Sequence, residues 1–129
     1  MFAYPDIEPQ IVASLVSWLD DSSVRVATRK KPPTDTEPSK QVIVTVAYSN
    51  EKPETPLLRY AGVVIDVFAT GYAATSDLAY QVEAGLRNLT GANIKKVSIT
   101  AGPSRMGEES GQEYRVISAE VVVQAYDLN

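Results

Sequence analysis

Residues 59–89 constrain the fold most, because a strand pattern there passes into a helix pattern with almost no linker. Val63, Val64, Ile65, Val67 and Phe68 crowd β-branched and aromatic side chains into one short run, which is strand chemistry. The period then changes. Ala74, Leu78, Val82 and Leu86 recur every fourth residue, as one face of a helix requires. Thr70 stands at the junction, where its hydroxyl is expected to cap the first free N–H groups. Gly91 follows the periodic stretch and is expected to end the helix in a left-handed turn. A strand feeding a capped helix makes a rigid unit on which the remaining elements can pack.

The chain before this unit supplies one helix and two strands. Residues 6–19 carry Ile7, Ile11, Leu15 and Trp18 on one stripe, widened by Val12, Val16 and Leu19. Asp6 is the expected N-cap, Pro9 lies within the first turn, and Trp18 is expected to anchor the core. Residues 24–28 (VRVAT) and 41–48 (QVIVTVAY) read as strands, the second forming a hairpin with the strand that follows. After the second helix come a strand at 93–101 and a long strand at 113–126. Polar, Gly- or Pro-bearing stretches at 29–40, 49–56 and 102–111 read as loops. The order α-β-β-β-α-β-β predicts a single α+β domain over residues 1–129. The expected architecture is a mostly antiparallel five-stranded sheet with two helices on one face.

Alternation splits each long strand into two faces. Ala61, Val63, Ile65, Val67 and Ala69, with Ile117, Ala119, Val121, Val123 and Ala125, form an apolar face that should meet the helices. The opposite face mixes large apolar groups with Asp66 and Glu120. A solvated face would be more polar, and a buried one would not carry two carboxylates. The pattern suits a surface partly covered by another chain, with Asp66, Phe68 and Glu120 as the expected subunit-contact or lumen residues. On this reading Phe68→Asp leaves a folded subunit that no longer assembles.

Composition removes most catalytic chemistry. The 129 residues include no cysteine and no histidine, so disulfides, thiolate zinc sites and Ser–His–Asp or Cys–His machinery are excluded. Asp66 and Glu120 are the one carboxylate pair that the face pattern brings up for acid–base work, with no pocket motif to support it. Neither GxxxxGK[ST] nor GxGxxG occurs, and Glu108–Glu109 lacks the ligand spacing of a calcium loop. The expectation is no enzyme and no cofactor. A net charge of −4 argues against a free-standing nucleic-acid binder. No apolar run approaches the roughly 20 residues of a membrane span. The opening MFAYPDIEPQ lacks signal-peptide regions, so a soluble protein assembled in the cytoplasm is expected.

Several pieces in order then point to a family. They are the amphipathic helix ending in Trp18-Leu19, the VRV strand at 24–26, and VVIDVFAT running into ATSDLAYQVEAGL. The pair Gly102-Pro103 and the final YRVISAEVVVQA strand follow. In this arrangement the chain resembles the tail terminator (tail completion) proteins of long-tailed bacteriophages, of the type found in phages of actinobacteria. The resemblance spans nearly the whole chain. It implies a structural virion protein: a homo-oligomeric, hexameric ring at the head-proximal end of the tail. The ring caps the tail tube, stops addition of tube protein and offers a surface to the head–tail connector protein. DNA passes through the lumen without specific binding. Arg29, Lys30, Lys31, Glu51, Lys52, Arg105, Met106, Glu108 and Glu109, all in the expected loops, are the candidate partner contacts. Another phage neck or tail component, either a connector or a tube subunit, is the near alternative; a small binding module unrelated to phage is the distant one.

Overall fold

The computed structural model describes residues 2–31, 40–48, 57–109 and 112–127. Its elements are β1 (Phe2–Ala3), α1 (Glu8–Leu19), β2 (Val24–Ala27), β3 (Lys40–Tyr48) and β4 (Leu58–Ala69). They continue with α2 (Tyr72–Arg87), β5 (Ile94–Glu109), β6 (Gln112–Gln124) and β7 (Tyr126–Asp127). The main sheet has five strands in the order β2-β3-β4-β6-β5, and β1 pairs with β7 in a separate two-stranded ribbon. The α+β class and the order of the seven principal elements match the sequence reading. The ribbon was not anticipated; two-residue strands are too short to leave a pattern.

Both helices pack on one face of the sheet. Val42 and Val44 of β3, alternate residues of β4 from Ala61 to Val67, and Ile117, Ala119, Val121 and Val123 of β6 all face the helices. Ile7, Ile11 and Leu15 enter the same cluster from the start of the chain and α1, and Leu78, Ala79, Val82 and Leu86 from α2. The register explains the agreement: Val63 lies opposite Val46 and Ala119, and Ile65 opposite Val44 and Ile117. Each position of this face is therefore flanked by apolar residues on the neighbouring strands.

The sheet is mixed rather than mostly antiparallel. β3, β4, β6 and β5 pair antiparallel in turn, but β2 pairs β3 in parallel, Val24 against Lys40 through Ala27 against Ile43. A parallel pair needs a long crossover, and residues 28–39 provide the length for one.

The larger correction concerns residues 102–111. β5 runs on to Glu109 where a loop was expected, and it stays paired with β6 through Ser104–Val116, Arg105–Arg115 and Glu108–Glu113. Register shifts between Ile99 and Ala101, Ala101 and Ser104, and Arg105 and Glu108 absorb the Gly and Pro residues as bulges. Gly102 has φ +103° and precedes a cis peptide to Pro103. A Cβ at Gly102 would lie 2.3 Å from the Val116 carbonyl oxygen, so only glycine lets the bulge close against β6.

The helix ends also differ in detail. Ile7 occupies the N-cap of α1, and Asp6 helps from one residue earlier by accepting the Glu8 N–H at 3.1 Å. Gly71, not Thr70, is the N-cap of α2, and no side chain caps its first turn. Asn88, not Gly91, closes α2; its side-chain amide donates to the Ala84 carbonyl at 2.8 Å. Trp18 lies at the rim of the core rather than inside it. It is 47% exposed, with its ring over Gly85 and its indole N–H donating to the Gln81 carbonyl at 2.9 Å. Gly85 is thus the place where α2 admits the indole from α1.

The start of the chain is held by an aromatic and cationic cluster. The Tyr48 hydroxyl accepts the Ile7 N–H at 3.0 Å and donates to Asp6 at 3.1 Å. The Arg59 guanidinium lies 4.5 Å from the Tyr48 ring centroid and 5.5 Å from that of Tyr4. Burial raises the Tyr48 hydroxyl above its ordinary pKa by disfavouring the phenolate.

Candidate interaction surface

The sheet face turned away from the helices is divided. Its end nearest α2 is covered by the chain itself. Phe68 is only 3% exposed, and its ring stacks on Tyr114 with centroids 5.1 Å apart. The Lys30 ammonium lies 4.2 Å from the Phe68 centroid on the segment that leaves β2. That segment is fastened by Gln41, which is fully buried. The Gln41 side-chain oxygen accepts from the Lys31 N–H at 3.0 Å, and its amide donates to the Lys31 carbonyl at 2.8 Å. Arg25 adds a donor to the same Gln41 oxygen at 3.1 Å and a second to the Arg29 carbonyl. Ile43, two residues along β3 from Gln41 and opposite Asp66, is also buried.

The central and far parts of this face are open. Val64 is 39% exposed, and Thr45, Ala47, Gly62 and Glu120 are exposed around it. Ser118 and Val122 are half-buried. These residues sit on β3, β4 and β6, the three central strands, so the open area is a sheet surface and not an edge. Four of these seven residues, Thr45, Ala47, Gly62 and Ser118, are small, and Glu120 is the carboxylate among them.

The three residues expected on one contact surface therefore have three environments. Glu120 is exposed, Asp66 is half-buried between Ile43 and Val116, and Phe68 is buried under Lys30. Phe68 is thus part of the fold, and Phe68→Asp is expected to unfold the subunit, not merely to stop assembly. Asp66 and Glu120 do not form an acid–base pair. Glu120 lies opposite Gly62, four residues along β4 from Asp66, which at ~3.3 Å per residue separates them by about 13 Å. Glycosidase carboxylates stand roughly 5–9.5 Å apart.

The expected partner loops divide similarly. Arg29 and Lys31 are exposed, while Lys30 is held on Phe68. Arg105 and Met106 are exposed, but on β5 rather than in a loop. Glu108 and Glu109 belong to the same strand. Glu51 and Lys52 lie outside the described residues.

A second group of residues escaped the sequence reading. Arg115 and Glu113 share the strand parity of Ile117 and Ala119 and so point to the helix face near the start of α2. Charged residues at apolar-face positions were the available signal. Arg115 is 7% exposed, and its guanidinium lies 5.0 Å from the ring centroid of Tyr72, the first residue of α2. A shallow cleft of about 220 Å³ lined by Ser14, Ser17, Trp18, Asn88 and Thr90 runs beside the helices. It is below the roughly 300 Å³ at which small-molecule sites begin. Among the described residues no group of His, Cys, Asp and Glu could hold a metal ion, and no helix is long and apolar enough to cross a membrane.

Neither protein-family models nor curated protein sequences match this chain.

Proposed function

We propose that this chain is a structural ring subunit of the tail terminator type, which assembles into a hexamer, caps a tail tube and presents its other side to a head connector. The observation that carries this reading is the open central area of the sheet around Val64. A monomer would cover such a central surface of small and apolar residues or make it more polar. A second subunit can lie against it with limited loss of side-chain entropy, because Thr45, Ala47, Gly62 and Ser118 at its centre are small. Glu120 at its border suits a ring whose lumen passes DNA without gripping phosphates, since carboxylates repel them. The net charge of −4 has the same sense.

The mechanism is geometric and uses no reacting group. One ring face matches the last ring of the tube, and the other matches the neck. The test is the mass of the purified protein by light scattering, with electron microscopy of mixtures with tube protein. A discrete ring that blocks tube growth is expected. A strict monomer at high concentration, with and without tube protein, overturns the proposal, and open-ended tubes of this chain alone assign it as a tube subunit. Val64→Lys places a charge in the open area without disturbing the core, and should give a folded subunit that does not assemble. An assembled Val64→Lys ring would remove the Val64 surface from the interface.

A further inference from the structure

At the start of α2 two like charges face each other, and among the described residues only Arg105 is paired with a carboxylate. Arg105 and Arg115 are direct partners across β5 and β6, an arrangement that is destabilising by itself. The Tyr72 ring contacts both guanidinium groups, with Cζ atoms 5.4 Å and 5.0 Å from its centroid. Tyr72 opens α2, a helix of 16 residues, so both cations lie beside the side chain of its first residue. The N-cap Gly71 has no side chain to cap the first turn, and a helix N-terminus carries about half a positive charge. Arg115 is more than nine-tenths buried, yet its Nε and Nη2 have no hydrogen-bond partner. A buried guanidinium without acceptors is strongly unfavourable.

Among the described side chains Glu113 is the carboxylate of this group, and it leans to Arg105. Its Oε1 lies 3.4 Å from Arg105, and its Oε2 is buried without a partner. Among the described side chains two guanidinium groups stand against one carboxylate, and the helix N-terminus adds to the positive excess. The geometry points to a binding site for one oxyanion group, a carboxylate or a phosphate, held by Arg115 and Arg105 beside Tyr72 at the start of α2. A planar carboxylate or a phosphate offers the paired acceptors that a guanidinium fork matches, and Tyr72 holds the two forks in place. This site lies on the helix side of the sheet and is independent of the Val64 surface and of the ring reading.

The test is titration of the isotope-labelled full chain with inorganic phosphate, and separately with acetate, followed by NMR at the amides of Tyr72, Ala73 and Ala74 and at the Arg115 Nε–H. Saturable shifts confined to these groups are expected. Arg105 is exposed, so Arg105→Ala should fold normally and weaken binding by about tenfold or more. Glu113→Gln removes the competing carboxylate and should tighten binding several-fold. Saturation by phosphate alone assigns a phosphate group, and saturation by acetate assigns a carboxylate such as an acidic side chain of a partner. Absence of saturable shifts in both the parent and Glu113→Gln overturns the proposal, as does unchanged affinity in Arg105→Ala. A Glu113→Gln protein that is destabilised and binds neither anion shows instead that Glu113 and Arg115 serve each other.

Discussion

Phe68→Ala is the most informative perturbation, because the sequence pattern and the packing predict opposite results for this residue. As a contact residue Phe68 could be truncated at little cost to the subunit. The structure places its ring between Tyr114, stacked at 5.1 Å, and the Lys30 ammonium, 4.2 Å from its centroid, with 3% of its surface exposed. Truncation of a buried phenylalanine costs about 3–5 kcal/mol. One wall here is a long, flexible lysine side chain that can shift into the space left, so the low end, about 3 kcal/mol, applies. Phe68→Leu keeps most of the apolar burial and loses the aromatic pair, about 0.5–1.5 kcal/mol, and the cation–π contact, about 0.5–1 kcal/mol. Lys30→Met keeps the aliphatic cover and should cost only about 0.5–1 kcal/mol. Urea unfolding of the four proteins at equal subunit concentration measures these differences, with the m-value held constant. A double-mutant cycle between Lys30→Met and Phe68→Leu isolates their coupling. A Phe68→Ala cost below about 0.5 kcal/mol, or additive effects in the cycle, would refute the view that residues 29–31 seal this end of the sheet.

Three further expectations follow from close contacts and ionisation. Gly102→Ala should lose about 2 kcal/mol or more, since φ +103° disfavours a side chain and a Cβ would meet the Val116 carbonyl at 2.3 Å; thermal unfolding measures it. Gly85→Ala gains about 1 kcal/mol of helix propensity but puts a Cβ 2.7 Å from Trp18 Cδ1. Because Trp18 is exposed and can move, the net change should be within about 1 kcal/mol, and the fluorescence of this single tryptophan should shift to the red as the indole leaves Gln81. Tyr48 has a raised pKa, so its stabilising contribution is complete below its unfolded value of 10.0 and falls as pH rises through the higher folded value. Melting temperatures measured from pH 8 upward should fall less steeply for Tyr48→Phe than for the parent; identical slopes would contradict the assignment.

Periodicity alone placed the parts that obey local rules. Leu78, Val82 and Leu86 lie on the buried face of α2, and Ala61 through Val67 alternate into the core, because helical and extended chains repeat at about 3.6 and 2.0 residues whatever surrounds them. The cap residues were less legible. Thr70, Gly71, Asn88 and Gly91 are all chemically able to sit at a helix end, and the choice depends on where packing against the sheet starts and stops the helix. Residues 102–109 were misread for a related reason. Glycine and proline interrupt a strand as readily at a bulge as at a turn, and only the partner strand β6 decides between them.

The sequence by itself determined the class of fold, the two faces of the sheet and the absence of histidine and thiol chemistry, since these follow from residue type and spacing. Tertiary structure decided which parts of the second face are free. Residues distant along the chain cover Phe68 and leave Val64 open, and a strand register sets Arg105 against Arg115 beside Tyr72. Pairing between strands and the path of residues 29–31 are long-range relations, and no local periodicity encodes them.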